Sequence, residues 1–454
     1  MSRTTDDAGP AGLAGAADRL GRALAGGTGT REPGPEAPLT PQQSQRNLLK
    51  LALGALLIVA IAVALHGLVP LLVIVALFSF VMLHEAGHLL TAKLSGMKVT
   101  EYFVGFGPRL WSVRKGETEY GVKAIPAGGY VRIVGMNNLD RIDPADEPRS
   151  YREQSFPRRL IVALAGSTVH FLIALILLFS LNQFVGVTNF NRPLLRVDSV
   201  EALSTGPSPA QQAGFEHGDV IERADGQTFA GFDDLRTYIQ NNPGKAITFD
   251  VRRGTSHLTL VATPVDLTKV QPKDSAPTTA PTKPTGFLGI APAFAKEHAP
   301  NPAVAVGRSF TQLGRDMWLT LRAIGSIFSP HGITSIGNQV FGSANAAKPS
   351  ASDVRPVSAV GIVHVADQAA KQGAEPLLTM LMVINVFVGV FNLIPLPPFD
   401  GGLVAVAIYE RIRSRRGQRY HVDMARMLPV AYAVFAVLIF IFVSSLYLDI
   451  TRPL

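Results

Sequence analysis

The chain has 454 residues, of which 17% are charged and 47% hydrophobic, and its mean hydropathy is +0.24. Ordinary soluble domains carry about 25% charged residues, so neither a wholly disordered chain nor a purely soluble one fits. There are no cysteines, which excludes disulfide scaffolds, Cys zinc sites and thiol catalysis; any metal has to be held by His, Asp or Glu. The net charge of +8 fits the cytoplasmic loops of a membrane protein better than nucleic-acid binding.

Residues 1–45 are rich in Gly, Ala, Pro and Thr and read as a disordered cytoplasmic tail. Leu51 to Leu83 then runs for 33 residues without Asp, Glu, Lys or Arg. One helix of that length would reach about 50 Å, well beyond a hydrocarbon core of about 30 Å. His66-Gly67-Leu68-Val69-Pro70 in its middle predicts a tight hairpin, with helices near 48–66 and 70–94. Leu160–Val187 and Met427–Leu448 are also uncharged, and Leu377–Tyr409 holds the single charge of Asp400. The expected architecture is mainly α: a polytopic membrane protein with five transmembrane helices. Twelve Lys/Arg fall within 93–159 and six within 411–426. Both segments are expected in the cytoplasm, which leaves 188–376 outside.

Two membrane-core segments follow from this division, at 46–187 and 377–454. Between them, 188–270 shows short alternating strands and turns, such as Leu194–Val200 and the Gly-Asp and Asp-Gly pairs in 214–229. Ala213-Gly214-Phe215, Gly218-Asp219-Val220-Ile221 and Asp225-Gly226 resemble a bacterial PDZ domain. The resemblance implies an inserted, extracytoplasmic β-rich module that binds an extended peptide or partner along a sheet edge. Residues 271–376 hold a Pro/Thr linker and, at 304–328, an amphipathic helix with Arg308, Arg315 and Arg322 on its polar face. That helix fits either the outer membrane surface or an exposed domain face.

The chemistry begins at His84-Glu85-Ala86-Gly87-His88. Two histidines at i and i+4 share one helix face with the spacing to hold a Zn²⁺, and the Glu between them can act as general base on water at that metal. A carboxylate inside a membrane helix is costly and marks a functional site. A catalytic zinc needs a third protein ligand, and Asp400 suits it. Asp400 follows Asn392-Leu393-Ile394-Pro395-Leu396-Pro397-Pro398-Phe399, whose prolines break the helix, and precedes Gly401-Gly402. Irregular backbone at membrane depth is tolerated where it lines a cavity.

H-E-x-x-H in one membrane helix, a PDZ-like insert and N-x-x-P-x-x-x-x-D-G in a later helix together resemble the site-2 protease family of intramembrane zinc metalloproteases. Phe103-Val104-Gly105-Phe106-Gly107-Pro108 and Lys123–Val131 match its bacterial, PDZ-containing members. The resemblance implies zinc on His84, His88 and Asp400, with Glu85 as base. It also implies that Asn392 fixes substrate or polarises the scissile carbonyl. The implied substrates are single-span membrane proteins, among them anti-sigma factors or signal-peptide remnants, and the implied location is the bacterial inner membrane. Glu117–Gly135 reads as two strands around Ala127-Gly128-Gly129, a β-loop that in this family pairs with substrate. The chain departs from the family at Gly166-Ser167-Thr168-Val169-His170, where G-P-x-x-N is usual. His170 there stands in for an oxyanion-donating Asn. Two other readings use the same residues: a silent membrane-tethered PDZ scaffold, disfavoured by the intact Glu85, and a metal-ion carrier, disfavoured by the scarcity of membrane carboxylates.

Overall fold

Gly67 divides the long apolar run. Its φ of 80° lies in the left-handed region that favours glycine, and it separates α1 (Pro41–His66) from α2 (Leu68–Leu94). The computed structural model describes residues 41–136, 142–269, 283–341, 357–414 and 420–451. Residues 1–40, the centre of the Pro/Thr linker at 270–282 and the loop at 342–356 lie outside the described residues. Helix α1 begins at Pro41, so residues 41–45 belong to it rather than to the tail; proline, with φ preset and no N–H to satisfy, suits a helix start.

After α2 come β1 (Val99–Lys115) and β2 (Thr118–Ile133), which pair antiparallel. The register shows a hairpin folded back on itself. Glu101, Tyr102, Phe103 and Val104 each pair twice, with residues of 129–132 on one side and of 119–122 on the other, while Arg109–Lys115 pairs with 118–123. Gly105, with φ of 84°, and Gly107 bend β1 between its two halves. The sheet therefore turns at Gly105–Gly107 as well as at the Ala127-Gly128-Gly129 site read from sequence.

Helix α3 (Phe156–Ser180) follows a short 3₁₀ turn and ends in a π turn at Leu181–Val185. The chain then builds a separate unit, Phe179–Arg308. It contains β3 (Val187–Val200), α4 (Pro209–Ala213), β4 (Val220–Ala224), α5 (Phe232–Gln240), β5 (Ile247–Arg253), β6 (Ser256–Ala262), the short β7 (Val265–Asp266) and β8 (Gly286–Phe287), and β9 (Ile290–Glu297). Five strands form one sheet in the order β6-β5-β4-β3-β9, and its neighbours pair antiparallel. Val197, Phe215, Ile221, Leu235, Phe249 and Val251 fill its core. The buried Asp219 is paired with Arg253 at 2.7 Å and accepts the Glu216 N–H. Burial alone would raise its pKa, but Arg253 and that N–H hold the carboxyl below the usual carboxylate range.

The other unit comprises residues up to Leu178 and from Ser309 onward. Its second half holds most of α6 (Pro302–Ile327), then α7 (Pro330–Phe341), α8 (Ala359–Gln372), α9 (Ala374–Asn392), α10 (Asp400–Arg413) and α11 (Leu428–Thr451). Among the described residues, four helical segments are long and apolar enough to cross a membrane: Leu68–Leu94, Phe156–Val185, Ala374–Asn392 and Met424–Thr451. The described chain is mostly helical, with small β-sheets. Leu313 and Ile324 of α6 pack with Ala174 and Leu178 of α3 and with Met382, Val386 and Val390 of α9. The amphipathic helix thus buries one edge against apolar helices while Phe310, Trp318 and Leu321 remain exposed. Arg159 at the start of α3 pairs with the buried Glu410 of α10 at 2.6 Å, and Glu410 also accepts the Val422 N–H at 2.7 Å. Removing one partner of such a buried pair costs about 3–5 kcal/mol, so this contact ties α3 to the end of α10 and to the chain leading into α11.

Candidate metal centre

Helix α2 presents His84 and His88 on one face, both buried. The run of prolines ends α9 at Asn392, and α10 starts at Asp400, which places that carboxylate in the first turn of a helix. The three side chains converge. His84 Nε2 and His88 Nε2 are 3.2 Å apart, and each lies 3.3 Å from Asp400 Oδ2. Four ligands arranged tetrahedrally about 2.0–2.1 Å from a zinc stand about 3.3 Å from one another. The triangle has the size of three such ligand positions.

Proton placement agrees with that fit. His88 Nδ1 lies 2.8 Å from the Val162 carbonyl oxygen. A carbonyl only accepts, so Nδ1 donates and Nε2 turns its lone pair towards the cluster. Asp400 Oδ2 is buried and makes no hydrogen bond. The His88 lone pair and a carboxylate oxygen this close repel one another unless a cation or a donated proton lies between them, and burial removes the water that would soften the repulsion. The residues fit zinc by donor type and spacing.

Glycines permit this closeness. A Cβ on Gly166 of α3 would overlap the His84 imidazole, and one on Gly87 of α2 would meet Val169 Cγ2 at 2.8 Å and the Ala165 carbonyl oxygen at 3.1 Å. Small residues at a membrane helix crossing let the backbones approach; here they seat the His84 ring directly on α3.

Glu85 follows His84 on α2. Its carboxylate lies in the field of His84, His88 and Asp400, and the Val131 backbone amide of β2 is within hydrogen-bonding reach of it. Strand β1 is held against the same helix, because Tyr102 donates to the Met82 carbonyl at 2.8 Å. Burial and the nearby Glu85 carboxylate raise the Tyr102 phenol above its ordinary pKa, which keeps it a donor. Residues 129–133 of β2 pair with β1 along one side. Among the described residues no strand pairs along the other.

The remaining sequence-read positions divide. His170 is buried on α3 with its ring centre 5.1 Å from that of His84. Asn392 closes α9, partly buried, and makes no hydrogen bond to the three clustered side chains. Sequence reading missed Asn385 of α9, which is fully buried and hydrogen-bonded to His170 at 2.9 Å. Its signal was a lone amide in the apolar run 377–391. The Val162 carbonyl was also missed, since a backbone group carries no signal in a single sequence; Gly166 was read as the first residue of the G-P-x-x-N stretch, but not as the seat of His84.

Comparison with known proteins agrees with this geometry. The model of "Peptidase family M50" matches residues 72–436. The chain is 32% identical to a protein named zinc metalloprotease Rip1 from Mycolicibacterium smegmatis over 421 residues, covering 86% of this chain and 99% of that one. It is 30% identical over 410 residues to a protein of the same name from Mycobacterium tuberculosis, covering 84% and 96%. A putative zinc metalloprotease of Clostridium perfringens is 29% identical over 343 residues, covering 75% and 88%. The chain belongs to peptidase family M50, the site-2 proteases. It is a multi-pass intramembrane protease, a hydrolase whose cofactor is Zn²⁺.

Proposed function

We propose that His84, His88 and Asp400 are the zinc ligands and that Glu85 is the general base for cleavage of single-span membrane proteins within or near the bilayer. The observation that carries this reading is the 3.2–3.3 Å triangle of buried donor atoms beside a carboxylate on an otherwise apolar helix. Bound zinc supplies a Lewis acid that polarises the scissile carbonyl and makes water acidic enough to attack at neutral pH. Glu85 takes the proton of the attacking water and delivers it to the leaving amine. Asn392, at the break between α9 and α10, helps hold the substrate backbone. A substrate helix hides its carbonyls in its own hydrogen bonds, so it has to unwind; the open side of Gly129–Ile133 offers replacement partners by strand addition. The relatives' printed names support the protease chemistry, and we extend the reading to anti-sigma factors or signal-peptide remnants as substrates.

The same proposal includes α1 as a fifth span, a bacterial inner-membrane location and an extracytoplasmic PDZ module within 188–270 that binds a peptide or partner. The antiparallel sheet of that unit, with two short helices, supports the module. The Lys/Arg clusters at 93–159 and 411–426 support cytoplasmic placement of those segments. Single cysteines introduced into this Cys-free chain test it. A cysteine at Ser256 is expected to react with an impermeant thiol reagent from outside intact spheroplasts, whereas one at Lys115 is expected to react only after the inner face is opened. The reverse pattern overturns the topology.

Zinc content tests the ligand set. The purified protein is expected to hold about one zinc per chain and to lose it on His84→Ala/His88→Ala, with Asp400→Ala weakening retention severely. Stoichiometric zinc in the double variant would assign the metal elsewhere.

A further inference from the structure

One hydrogen-bonded side-chain pair next to the cluster, His170 and Asn385, has a protonation pattern that can be read without ambiguity. Asn385 Nδ2 lies 2.9 Å from the Leu381 carbonyl oxygen. A carbonyl only accepts, so the amide nitrogen belongs there and Oδ1 faces the other way. Asn385 Oδ1 lies 2.9 Å from His170 Nδ1. An amide oxygen also only accepts, so His170 Nδ1 carries the proton. Neutral His170 therefore presents a lone pair at Nε2 and no N–H.

His84 has the complementary need. Its Nε2 faces His88 and Asp400. Its Nδ1 is buried and has no hydrogen-bond partner. A histidine that ligates a metal through Nε2 holds its proton on Nδ1 and normally donates it to an outer partner, which fixes ring orientation and ligand basicity. His88 has such a partner in the Val162 carbonyl. For His84 one acceptor close by on α3 is His170, whose ring centre is 5.1 Å away with the planes tilted by 46°. Two imidazoles joined by an N–H···N hydrogen bond of about 3 Å have ring centres roughly 5 Å apart, so the separation is of the size such a bond requires.

We propose that His170, oriented by Asn385, is the outer partner of His84. A directed chain then runs outward from the metal ligand: His84 donates to His170, His170 to Asn385 and Asn385 to the Leu381 carbonyl. The proposal rests on the ligand set given above. It assigns His170 a positioning role in place of the oxyanion-donating role implied by the family resemblance, because a neutral imidazole locked by Asn385 has no N–H left for substrate.

The test uses full-length protein in detergent, with zinc affinity measured by chelator competition. Asn385→Leu removes the acceptor while keeping similar bulk, and it is expected to bind zinc about 10–100-fold more weakly, as loss of an outer partner does in other metal sites. Asn385→Asp keeps an acceptor for His170 Nδ1–H and is expected to restore most of that affinity. Unchanged affinity in Asn385→Leu overturns the proposal. So does equal weakening in both variants, which would mark a packing effect. Should either variant fail to fold, nitrogen-15 spectra of histidine in the unsubstituted zinc protein decide: His170 is expected protonated at Nδ1 and bare at Nε2, and a proton on Nε2 refutes the chain. The His84→Ala/His88→Ala control separates the two hypotheses. If it loses zinc while Asn385→Leu binds normally, the ligand set stands and the His170 assignment falls.

Discussion

Glu85→Gln is expected to retain its zinc and its fold and to lose cleavage by about 10²–10⁴-fold, the usual contribution of a positioned general base. The amide is nearly isosteric with the carboxylate and can still accept from the Val131 backbone amide, but it cannot take a proton from water. Retention of metal separates this variant from the ligand substitutions, which remove activity by removing zinc. The measurement is turnover of a tagged single-span substrate in detergent or co-expressing cells, with zinc quantified on the same preparation. Turnover within a few-fold of the unsubstituted protein would assign the base to another group. Loss of zinc in this variant would make Glu85 a contributor to metal binding instead.

Gly166→Val is expected to abolish zinc retention and cleavage although none of the proposed zinc ligands is replaced. A Cβ at this position would overlap the His84 ring. Either the ring leaves its place beside His88 and Asp400, or α3 moves away from α2. Overpacking of this kind costs about 1–3 kcal/mol of stability, and the damage is concentrated on a proposed zinc ligand. Gly166→Ala is expected to act in the same direction, since the first added carbon already collides. Gly54→Ala provides the control, because a Cβ there meets nothing within 4 Å, and it is expected to leave zinc content unchanged. If Gly166→Ala holds one zinc and cuts at full rate, His84 is not fixed by its contact with α3.

Much of this protein is legible in the linear chain because membranes impose simple rules. Backbone polar groups have no water to bind inside lipid, so spans must be helices, and uncharged runs mark them. Four of those runs correspond to the membrane-length helices. A 33-residue uncharged run exceeds the thickness of the bilayer, so length required a break, and Gly67 and Pro70 located it. His84 and His88 lie four residues apart, so helical geometry itself puts them on one face. Asp400 was legible as an isolated charge beside prolines in an apolar run. Helix 304–328 was also legible, and α6 covers Pro302–Ile327. Its partners were not, because an amphipathic pattern shows that one face is buried without naming what buries it.

Legible in the linear chain was the pattern of the candidate site: two histidines on one membrane helix, a carboxylate between them, and a second carboxylate 312 residues after His88. Folding, and not the local pattern, brings Asp400 to 3.3 Å from both imidazoles. It also decided that Val162 sets the His88 tautomer, that Gly166 seats His84, and that Asn385, 215 residues along the chain, orients His170. The physical reason is range. Helix period and hydropathy are local properties written in neighbouring residues. A hydrogen bond to a backbone carbonyl, or a ring resting on a missing Cβ, depends on which helices cross and at what depth, and a single sequence holds no residue pattern for either.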